Sequence, residues 1–287
     1  MYFERYERPE TVQEASALLR EERESRILAG GTDLVPRLKS GAWKTKMVVD
    51  LSRLEELQGV RYTKRGLELG AMVRLAALQE ERSLQGAHRL LGECAGHVSS
   101  IQVRNMATIG GNSCNASPSA DTAPAMLLLN ASACIRRGDT EYLLPMDEFY
   151  MGAGRTALEQ GDILLRFVIP KQPEHTGAAY YKYSIRGDSD ISIVGAGAKL
   201  VLEEGRIQEA RLAFASVSAK TIRIQEAERM LLGQEPTKEL FQEAAVLCAG
   251  LCAPITDQRA SESYRRKMTK VFAEKALASA FRRISGI

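Results

Sequence analysis

Two segments with adjacent glycines constrain this chain most: residues 27–34 (ILAGGTDL) and residues 107–121 (ATIGGNSCNASPSAD). In each segment a glycine pair, at 30–31 or 110–111, follows apolar residues and precedes small polar ones. Glycine lets backbone N–H groups approach a phosphate closely, because it has no Cβ and allows positive φ. Two such turns predict a ligand with two phosphates that is held from both sides. Neither segment matches the dinucleotide fingerprint of a Rossmann fold or a P-loop, so we expect a dinucleotide in a different fold.

Composition and charge are those of an ordinary globular protein. Hydrophobic residues make up 45% and charged residues 26% of the 287-residue sequence, and the net charge is +3. So small a charge gives no reason to expect a nucleic-acid partner. No apolar run approaches the ~20 residues that a membrane span needs. The opening sequence MYFERYERPE lacks the apolar core of a secretory signal. We therefore expect a cytoplasmic protein without a membrane segment.

Cysteines and histidines give no sign of a metal centre in this chain. The five cysteines form no C-x-x-C pair, and Cys248 and Cys252 stand one helical turn apart in an apolar segment. The three histidines are scattered, without metal-ligand spacing. These patterns predict reduced thiols in the core, and neither a zinc site nor an iron–sulfur cluster in this chain.

The first part of the chain has the pattern of a β-α-β unit. Thr11 can cap a helix with Glu14 as its capping-box partner. A short apolar strand at 26–29 leads into the first glycine pair, and a helix through Lys39 and a strand at 47–51 follow. The turn after the first strand presents backbone amides and a helix N-terminus, which favours a bound anion.

Two further regions follow, and the prolines of 170–173 mark the expected boundary between them. The first of them is predicted to contain a hairpin, three helices and two strands, at residues 60–62, 67–69, 75–81, 84–95, 123–130, 133–136 and 161–170. The last is predicted to contain a three-stranded antiparallel sheet and three helices, at residues 178–185, 191–202, 206–216, 221–232, 238–251 and 261–283.

The first glycine segment has a functional and a purely structural interpretation. In the functional one, the amides of residues 29–34 surround a pyrophosphate and the Thr32 hydroxyl is a further donor. In the structural one, the segment is an ordinary strand-to-helix turn with glycines at positive φ. Asp33 would repel a diphosphate, so we expect its carboxylate to turn away from the ligand.

The second glycine segment offers a hydroxyl, two open backbone sites and a side-chain amide from Thr108, Gly110, Gly111 and Asn112. Asp121 can accept hydrogen bonds from the vicinal hydroxyls of a ribose, or it can cap the helix that follows it. The sequence contains no nucleophile elbow, Cys/His pairing or paired carboxylates. A dinucleotide site without acid–base groups indicates that the ligand performs the chemistry, as flavin does.

The two segments, extended to LAGGTDL and QVRNMATIGGNSCNASPSADTAP, resemble the FAD-binding subunit of the molybdenum hydroxylases. Residues 175–192 (HTGAAYYKYSIRGDSDIS) are most similar to the separate FAD subunit of bacterial xanthine dehydrogenases, and ASESYRRKM also fits the family's pattern. The resemblance covers nearly the whole chain. It implies an α+β fold with an FAD-binding domain of the PCMH type (as in vanillyl-alcohol oxidase and MurB) at residues 1–172. This domain has two α/β subdomains, about 1–57 and 58–172. A C-terminal domain of the molybdenum hydroxylase flavoprotein type, with a three-stranded antiparallel sheet and helices, follows at 173–287.

The resemblance also implies which residues bind FAD. It assigns a pyrophosphate loop, a second loop, an acidic contact, a leucine at the end of the FAD domain, a lysine beside the flavin, two less distinctive contacts, and a residue that faces the isoalloxazine ring. In that order these are Ile27, Leu28, Ala29, Gly30, Gly31, Thr32, Asp33, Leu34; Thr108, Ile109, Gly110, Gly111, Asn112; Asp121; Leu164; Lys182; and Val98, Ser99, Ile191. It implies no catalytic residue and no metal ligand here. For Lys182 the alternative is a surface lysine on an edge strand.

The function implied by the resemblance is electron transfer within a larger enzyme, most similar to xanthine dehydrogenase. A partner subunit carries molybdopterin and another carries [2Fe–2S] clusters; FAD in this chain passes electrons to NAD, and the assembly is a dimer of heterotrimers. One alternative is the FAD subunit of a related hydroxylase, acting on carbon monoxide, nicotinate or another N-heterocycle. Others are a stand-alone MurB-like flavin reductase and a subunit that has lost its flavin and serves assembly.

Overall fold

The protein's computed structural model describes residues 3–187 and 189–285, so Asp188 lies outside it.

The N-terminal region is a small parallel sheet with two helices. Its first elements are β1 (Arg5–Glu7), α1 (Val12–Glu21), β2 (Ser25–Leu28), α2 (Leu34–Lys39) and β3 (Met47–Asp50). The strands are parallel in the order β1-β3-β2, which confirms the predicted β-α-β unit.

Local capping explains where α1 begins. The Thr11 Oγ1 accepts a hydrogen bond from the Glu14 amide at 3.1 Å, as the sequence predicts. The Glu14 carboxylate accepts from the Glu10 amide at 2.8 Å, so the reciprocal bond reaches one residue before the cap. These bonds satisfy donors that the first turn of a helix leaves free.

The middle region is built on a five-stranded antiparallel sheet in the order β4-β5-β10-β6-β7. Its strands are β4 (Val60–Thr63), β5 (Gly66–Gly70), β6 (Ser132–Arg137), β7 (Thr140–Pro145) and β10 (Ile163–Ile169), with a two-stranded hairpin of β8 (Tyr150–Gly152) and β9 (Arg155–Thr156). Its helices are α3 (Leu75–Gln79), α4 (Arg89–Gly96), α5 (Ile101–Arg104), α6 (Ile109–Asn115), α7 (Thr122–Leu128) and α8 (Met146–Phe149).

Two of these helices differ from the prediction. The helix expected at 84–95 begins instead as a 3-10 turn at Gly86–His88, and α4 starts at Arg89. Gly86 has φ +52, a conformation that cannot continue a right-handed helix. The second glycine pair, expected in an open turn, lies in the first turn of α6.

The C-terminal region is an antiparallel sheet covered by helices. Its elements are β11 (Thr176–Tyr183), β12 (Val194–Glu203), β13 (Arg206–Ala215), β14 (Ile222–Arg223), α9 (Gln225–Leu231), α10 (Lys238–Leu251) and α11 (Glu262–Ser285). The three predicted strands pair as expected. A short fourth strand, β14, occupies the start of the segment predicted as a helix from residue 221, so the helix there begins only at Gln225.

The middle and C-terminal regions share apolar packing. The largest buried cluster contains residues of β5, β6, α4 and α7, and it includes Ala178, Tyr180 and Ala213 from the C-terminal sheet. A second cluster contains Met47 and Val49 of β3 together with Ile163 and Leu165 of β10. All three regions are therefore joined through continuous hydrophobic packing.

A buried arginine fixes the ends of two C-terminal strands. The Arg265 guanidinium donates to the carbonyl oxygens of Ile193 at 2.7 Å and Ser216 at 3.1 Å, and to Asp257 Oδ1 at 2.9 Å. Burial acts to raise the pKa of the Asp257 carboxyl. Hydrogen bonds from the Arg259 amide, the Arg265 guanidinium and the Ala260 amide outweigh it and lower the pKa to about 2.

Asp257→Asn is therefore expected to lower the free energy of unfolding at pH 7 by about 2 kcal/mol, because the buried Arg265 loses its counter-charge. The native carboxylate has a depressed pKa, so its contribution is present above its ordinary pKa of about 4. It is lost as the pH falls towards 2. Urea unfolding of both proteins between pH 7 and pH 2 tests this. The free energies of unfolding of the native protein and of Asp257→Asn should converge as the pH falls. Substitution of the exposed Asp139 by Asn is the control. A difference between the native protein and Asp257→Asn that does not change with pH would contradict the role of Asp257.

Candidate functional site

A cavity of about 510 Å³ lies where the β2–α2 turn faces α6 and the five-stranded sheet. This volume is within the range of about 300–1,000 Å³ that small-molecule sites occupy. Its walls combine residues of both glycine segments with apolar side chains from the middle region. Of the predicted ligand residues, it is lined by Ile27, Ala29, Gly30, Gly31, Thr32, Asp33, Leu34, Val98, Ser99, Thr108, Gly110, Gly111, Asn112 and Leu164.

The loop between β2 and α2, residues 29–34, keeps its donors free. Gly31 has φ +72, which turns the chain so that its carbonyl oxygen accepts from the Val35 amide at 3.0 Å and α2 can begin. In the described part of the chain, no protein acceptor receives the backbone N–H groups from Gly30 to Leu34. Adjacent amides at a helix start, left without partners on a cavity wall, are suited to an anion.

Gly30 is required for close packing of the chain on itself. A Cβ at this position would lie 2.0 Å from the carbonyl oxygen of Met106 and 2.8 Å from the Cα of Ala107. The first glycine loop thus rests directly on the backbone that precedes α6. This contact brings the two glycine segments to one cavity although they lie far apart in the sequence.

The second glycine loop, residues 108–112, uses its amides within the protein. The Ile109 amide donates to the Val73 carbonyl at 2.9 Å and the Gly110 amide to the Ala71 carbonyl at 2.8 Å. The Gly111 amide donates to Thr108 Oγ1 at 3.0 Å, and the Asn112 amide to the Thr108 carbonyl at 2.9 Å. Ala71 and Val73, which follow β5, and Thr108, which precedes α6, therefore already accept these amides. Contact of the second loop with a ligand stays a prediction.

The Asn112 side chain is a donor that the second loop still offers. Its Oδ1 accepts from the buried Thr122 hydroxyl at 2.6 Å. The side-chain nitrogen of Asn112 therefore remains on the cavity wall. Its N–H groups have no partner among the residues described. Thr122 thus sets the orientation of the Asn112 amide.

Asp33 belongs to the cavity lining, and the expectation that it turns away from a ligand stays a prediction. Its half-exposed carboxylate lies 3.7 Å from the Arg37 guanidinium, one turn along α2, and it makes no capping hydrogen bond within the described structure. Arg37 therefore neutralises the acidic side chain in this wall of the cavity.

Asp121 and Lys182 lie next to each other and do not line the cavity. The Lys182 Nζ donates to Asp121 Oδ2 at 2.9 Å and to the His97 carbonyl at 2.7 Å, and the Tyr180 hydroxyl donates to Asp121 Oδ1 at 2.8 Å. Burial raises the pKa of the Asp121 carboxyl, and Lys182 and Tyr180 oppose that rise. Lys182 also borders a second cleft of about 830 Å³.

The structure contradicts two alternatives from the sequence: Asp121 as a helix cap and Lys182 as a surface lysine. Asp121 stands at the N-cap position of α7, but its carboxylate makes no capping bond to that helix among the described contacts, because it is held by β11. Lys182 does belong to an edge strand. Its side chain, however, is only 2% exposed, so it is not a surface lysine. Their contact with a ligand stays a prediction.

Three other predicted residues lie outside the cavity lining. Leu28 packs beneath the loop beside the apolar cluster of α2 and β3, and Ile109 is fully buried in the core. Ile191 is 48% exposed. Sequence reasoning missed further wall residues. Arg26, Ala107, Cys114 and Asn115 stand in or beside the glycine segments but carry no glycine-loop signal. The others come from distant segments without a shared motif; these are Trp43, Leu51, Leu57, Ala71, Met72, Val103 and Leu158.

The wall provides binding groups without acid–base chemistry. Arg26 and Asp33 are its charged residues. Burial raises the pKa of the Cys114 thiol to about 12, so it stays protonated at neutral pH. Residues 3–187 and 189–285 contain no cluster of three or more His, Cys, Asp or Glu arranged for a metal ion. Within the same residues, no helix has the length and apolar character needed to cross a bilayer.

Two family models match almost the whole chain. Residues 2–172 match the family described as FAD binding domain in molybdopterin dehydrogenase. Residues 179–280 match the CO dehydrogenase flavoprotein C-terminal domain.

The alignments with individual relatives cover almost the full length of this chain and of each relative. The chain is 32% identical to the xanthine dehydrogenase FAD-binding subunit of Escherichia coli O157:H7, over 97% of this chain and 96% of the relative. It is 30% identical to the caffeine dehydrogenase subunit beta of Pseudomonas sp. (strain CBB1), over 97% and 95%. Among solved structures, a chain of the carbon monoxide dehydrogenase from Hydrogenophaga pseudoflava superposes with a TM-score of 0.94 at 29% identity, covering 98% of each chain.

Proposed function

This chain belongs to the family of FAD-binding proteins of the molybdopterin dehydrogenases, and on this premise we propose that it is the electron-transfer subunit of a xanthine dehydrogenase. In this role it takes electrons from the iron–sulfur subunit of a multi-subunit molybdenum hydroxylase and passes them through FAD to NAD. The observation that carries the proposal is the row of amides from Gly30 to Leu34, which have no partner among the described residues, on the wall of a cavity of about 510 Å³.

The residues present fit FAD. Free amides and the Asn112 side chain provide donors at one part of the wall, where a diphosphate would bind. Leu57, Met72, Val103 and Leu164 provide an apolar surface in another part, suited to a flat ring system. When bound, FAD supplies the hydride and electron transfer. The chain's own residues hold the cofactor, orient it and exclude water from it.

The proposal includes partners and a division of the chain. A molybdopterin subunit and a [2Fe–2S] subunit complete the enzyme, as a dimer of heterotrimers. Residues 1–172 form the FAD-binding domain and residues 173–287 the C-terminal domain, a division supported by where the two family matches end. Because a relative of similar identity is named for caffeine oxidation, the second candidate is the FAD subunit of a hydroxylase for another N-heterocycle.

Two experiments test the proposal. The purified chain, stripped of ligand, should bind one FAD, seen as quenching of flavin fluorescence, and NADH should bleach the bound flavin anaerobically. Co-purification from the native host should then recover two partner chains and xanthine-dependent NAD⁺ reduction. A chain that binds no FAD would contradict the proposed function. A complex inactive on xanthine but active on another N-heterocycle would favour the second candidate.

Thr122→Val tests the assignment of the Asn112 amide. Valine has nearly the shape of threonine but cannot hold the Asn112 Oδ1, so the amide loses its orientation. We expect the Kd for FAD to rise about 3- to 10-fold, equivalent to about 1 kcal/mol. Fluorescence titration measures this. Thr122→Ser keeps the hydroxyl and should bind FAD as the native chain does; equal binding by all three proteins would contradict the role of Thr122.

A further inference from the structure

Two arginines meet over one indole ring at the edge of the cavity. The Cζ of Arg26, on β2, lies 4.6 Å from the centroid of the Trp43 ring, and the Cζ of Arg37, on α2, lies 4.3 Å from it. Trp43 is the only tryptophan of the chain. Guanidinium groups at these distances are attracted by the electron-rich face of the ring. The indole therefore restricts where both charges can lie.

The two arginines differ in their partners. Arg37 lies 3.7 Å from the Asp33 carboxylate and donates to Asn115 Oδ1 at 3.1 Å. Arg26 has neither a carboxylate nor a hydrogen-bond acceptor among the residues that the structure describes. Because Arg26 is exposed and lines the cavity, its guanidinium is available to a ligand that binds there.

The charge balance of the wall indicates what that partner is. Asp33 is the acidic residue there, and Arg37 already neutralises it. Arg26 thus leaves an uncompensated positive charge on the same wall as the free amides of residues 30–34. Two independent features, unpaired amides and an unpaired guanidinium, converge on an anionic ligand group.

We propose that Arg26, positioned by Trp43, binds the phosphate-bearing half of the cofactor and makes the site select phosphorylated flavins over riboflavin. This inference rests on the proposed function. Arg26 acts as the counter-charge, which amides alone do not provide. Trp43 is a positioning residue, since its ring holds the guanidinium of this exposed arginine at the cavity edge.

The test measures binding of FAD, FMN and riboflavin to the full-length apoprotein by flavin fluorescence quenching. For Arg26→Gln we expect the Kd for FAD to rise about 5- to 10-fold, and the Kd for riboflavin to change less than about 2-fold. The dependence of the FAD Kd on salt should weaken, because one charge contact is lost. Arg26→Lys should recover part of the loss, since the charge remains but the planar contact with Trp43 does not.

Further variants separate positioning from charge. Trp43→Leu, which keeps Arg26, should weaken FAD binding more than riboflavin binding. Arg65→Gln removes an exposed arginine in the β4–β5 turn, away from the cavity lining, and should leave all three Kd values unchanged. An unchanged FAD Kd in Arg26→Gln, or an equal loss for FAD and riboflavin, would overturn this inference alone. Failure of the native chain to bind FAD would contradict the proposed function itself.

Discussion

Gly30→Ala is expected to lower the free energy of unfolding by about 2–4 kcal/mol and to abolish FAD binding. The added Cβ would lie 2.0 Å from the Met106 carbonyl oxygen and 2.7 Å from its carbonyl carbon. Both atoms belong to the backbone, so no side-chain rotation can relieve the overlap. The first glycine loop would have to move away from residues 106–107. Its free amides and the Asn112 side chain would then no longer face the same ligand.

Urea unfolding and flavin titration measure the two effects. Gly152→Ala is the matched control, since a Cβ at Gly152 meets nothing within 4 Å and its φ is not positive. Its free energy of unfolding and its affinity for FAD should equal those of the native chain. Gly31→Ala is the intermediate case. It keeps the loop in place but puts alanine at φ +72, which costs roughly 1–2 kcal/mol. Native stability and FAD affinity in Gly30→Ala would contradict the packing role assigned to this glycine.

Lys182→Met is expected to lower the free energy of unfolding by about 3–5 kcal/mol at pH 7. The side chains of Lys182 and Asp121 are only 2% and 7% exposed, so removing the ammonium leaves a buried carboxylate without its counter-charge. The Tyr180 hydroxyl, at 2.8 Å, cannot replace a full positive charge. The pair joins β11 to the start of α7, so its loss weakens contact between the C-terminal sheet and the middle region.

The pH dependence of this variant has a definite sign. Burial already raises the pKa of Asp121 in the native protein, and loss of Lys182 raises it further. A carboxyl with a raised folded-state pKa binds a proton on folding, so stability falls as the pH rises. The deficit of Lys182→Met should therefore be smaller at pH 5 than at pH 8. Urea unfolding at both pH values measures it.

A double variant provides the control for the ion pair. Asp121→Asn combined with Lys182→Met removes both charges and keeps an acceptor for Tyr180. We expect it to recover much of the lost stability, because neither partner is left charged and buried. A double variant no more stable than Lys182→Met alone would show that shape, and not charge, is what this contact contributes.

The sequence alone predicted the elements whose causes are local. The Thr11 cap, the β4–β5 hairpin and the β-α-β unit depend on residues a few positions apart, and each was confirmed. The positive φ of Gly31 follows from local sterics in the same way. The long glycine segments also indicated the family, which the comparisons confirmed.

The tertiary structure decided which predicted groups are available to a ligand. The two glycine segments look alike in sequence, yet Val73 and Ala71 accept amides of the second, while the amides of Gly30 to Leu34 have no acceptor among the described residues. Asp121 has its partner on β11, 61 residues away in the chain, and no local pattern encodes that contact. Hydrogen-bond satisfaction and burial are set by long-range packing, so the sequence determined the kind of site and the fold determined its donors.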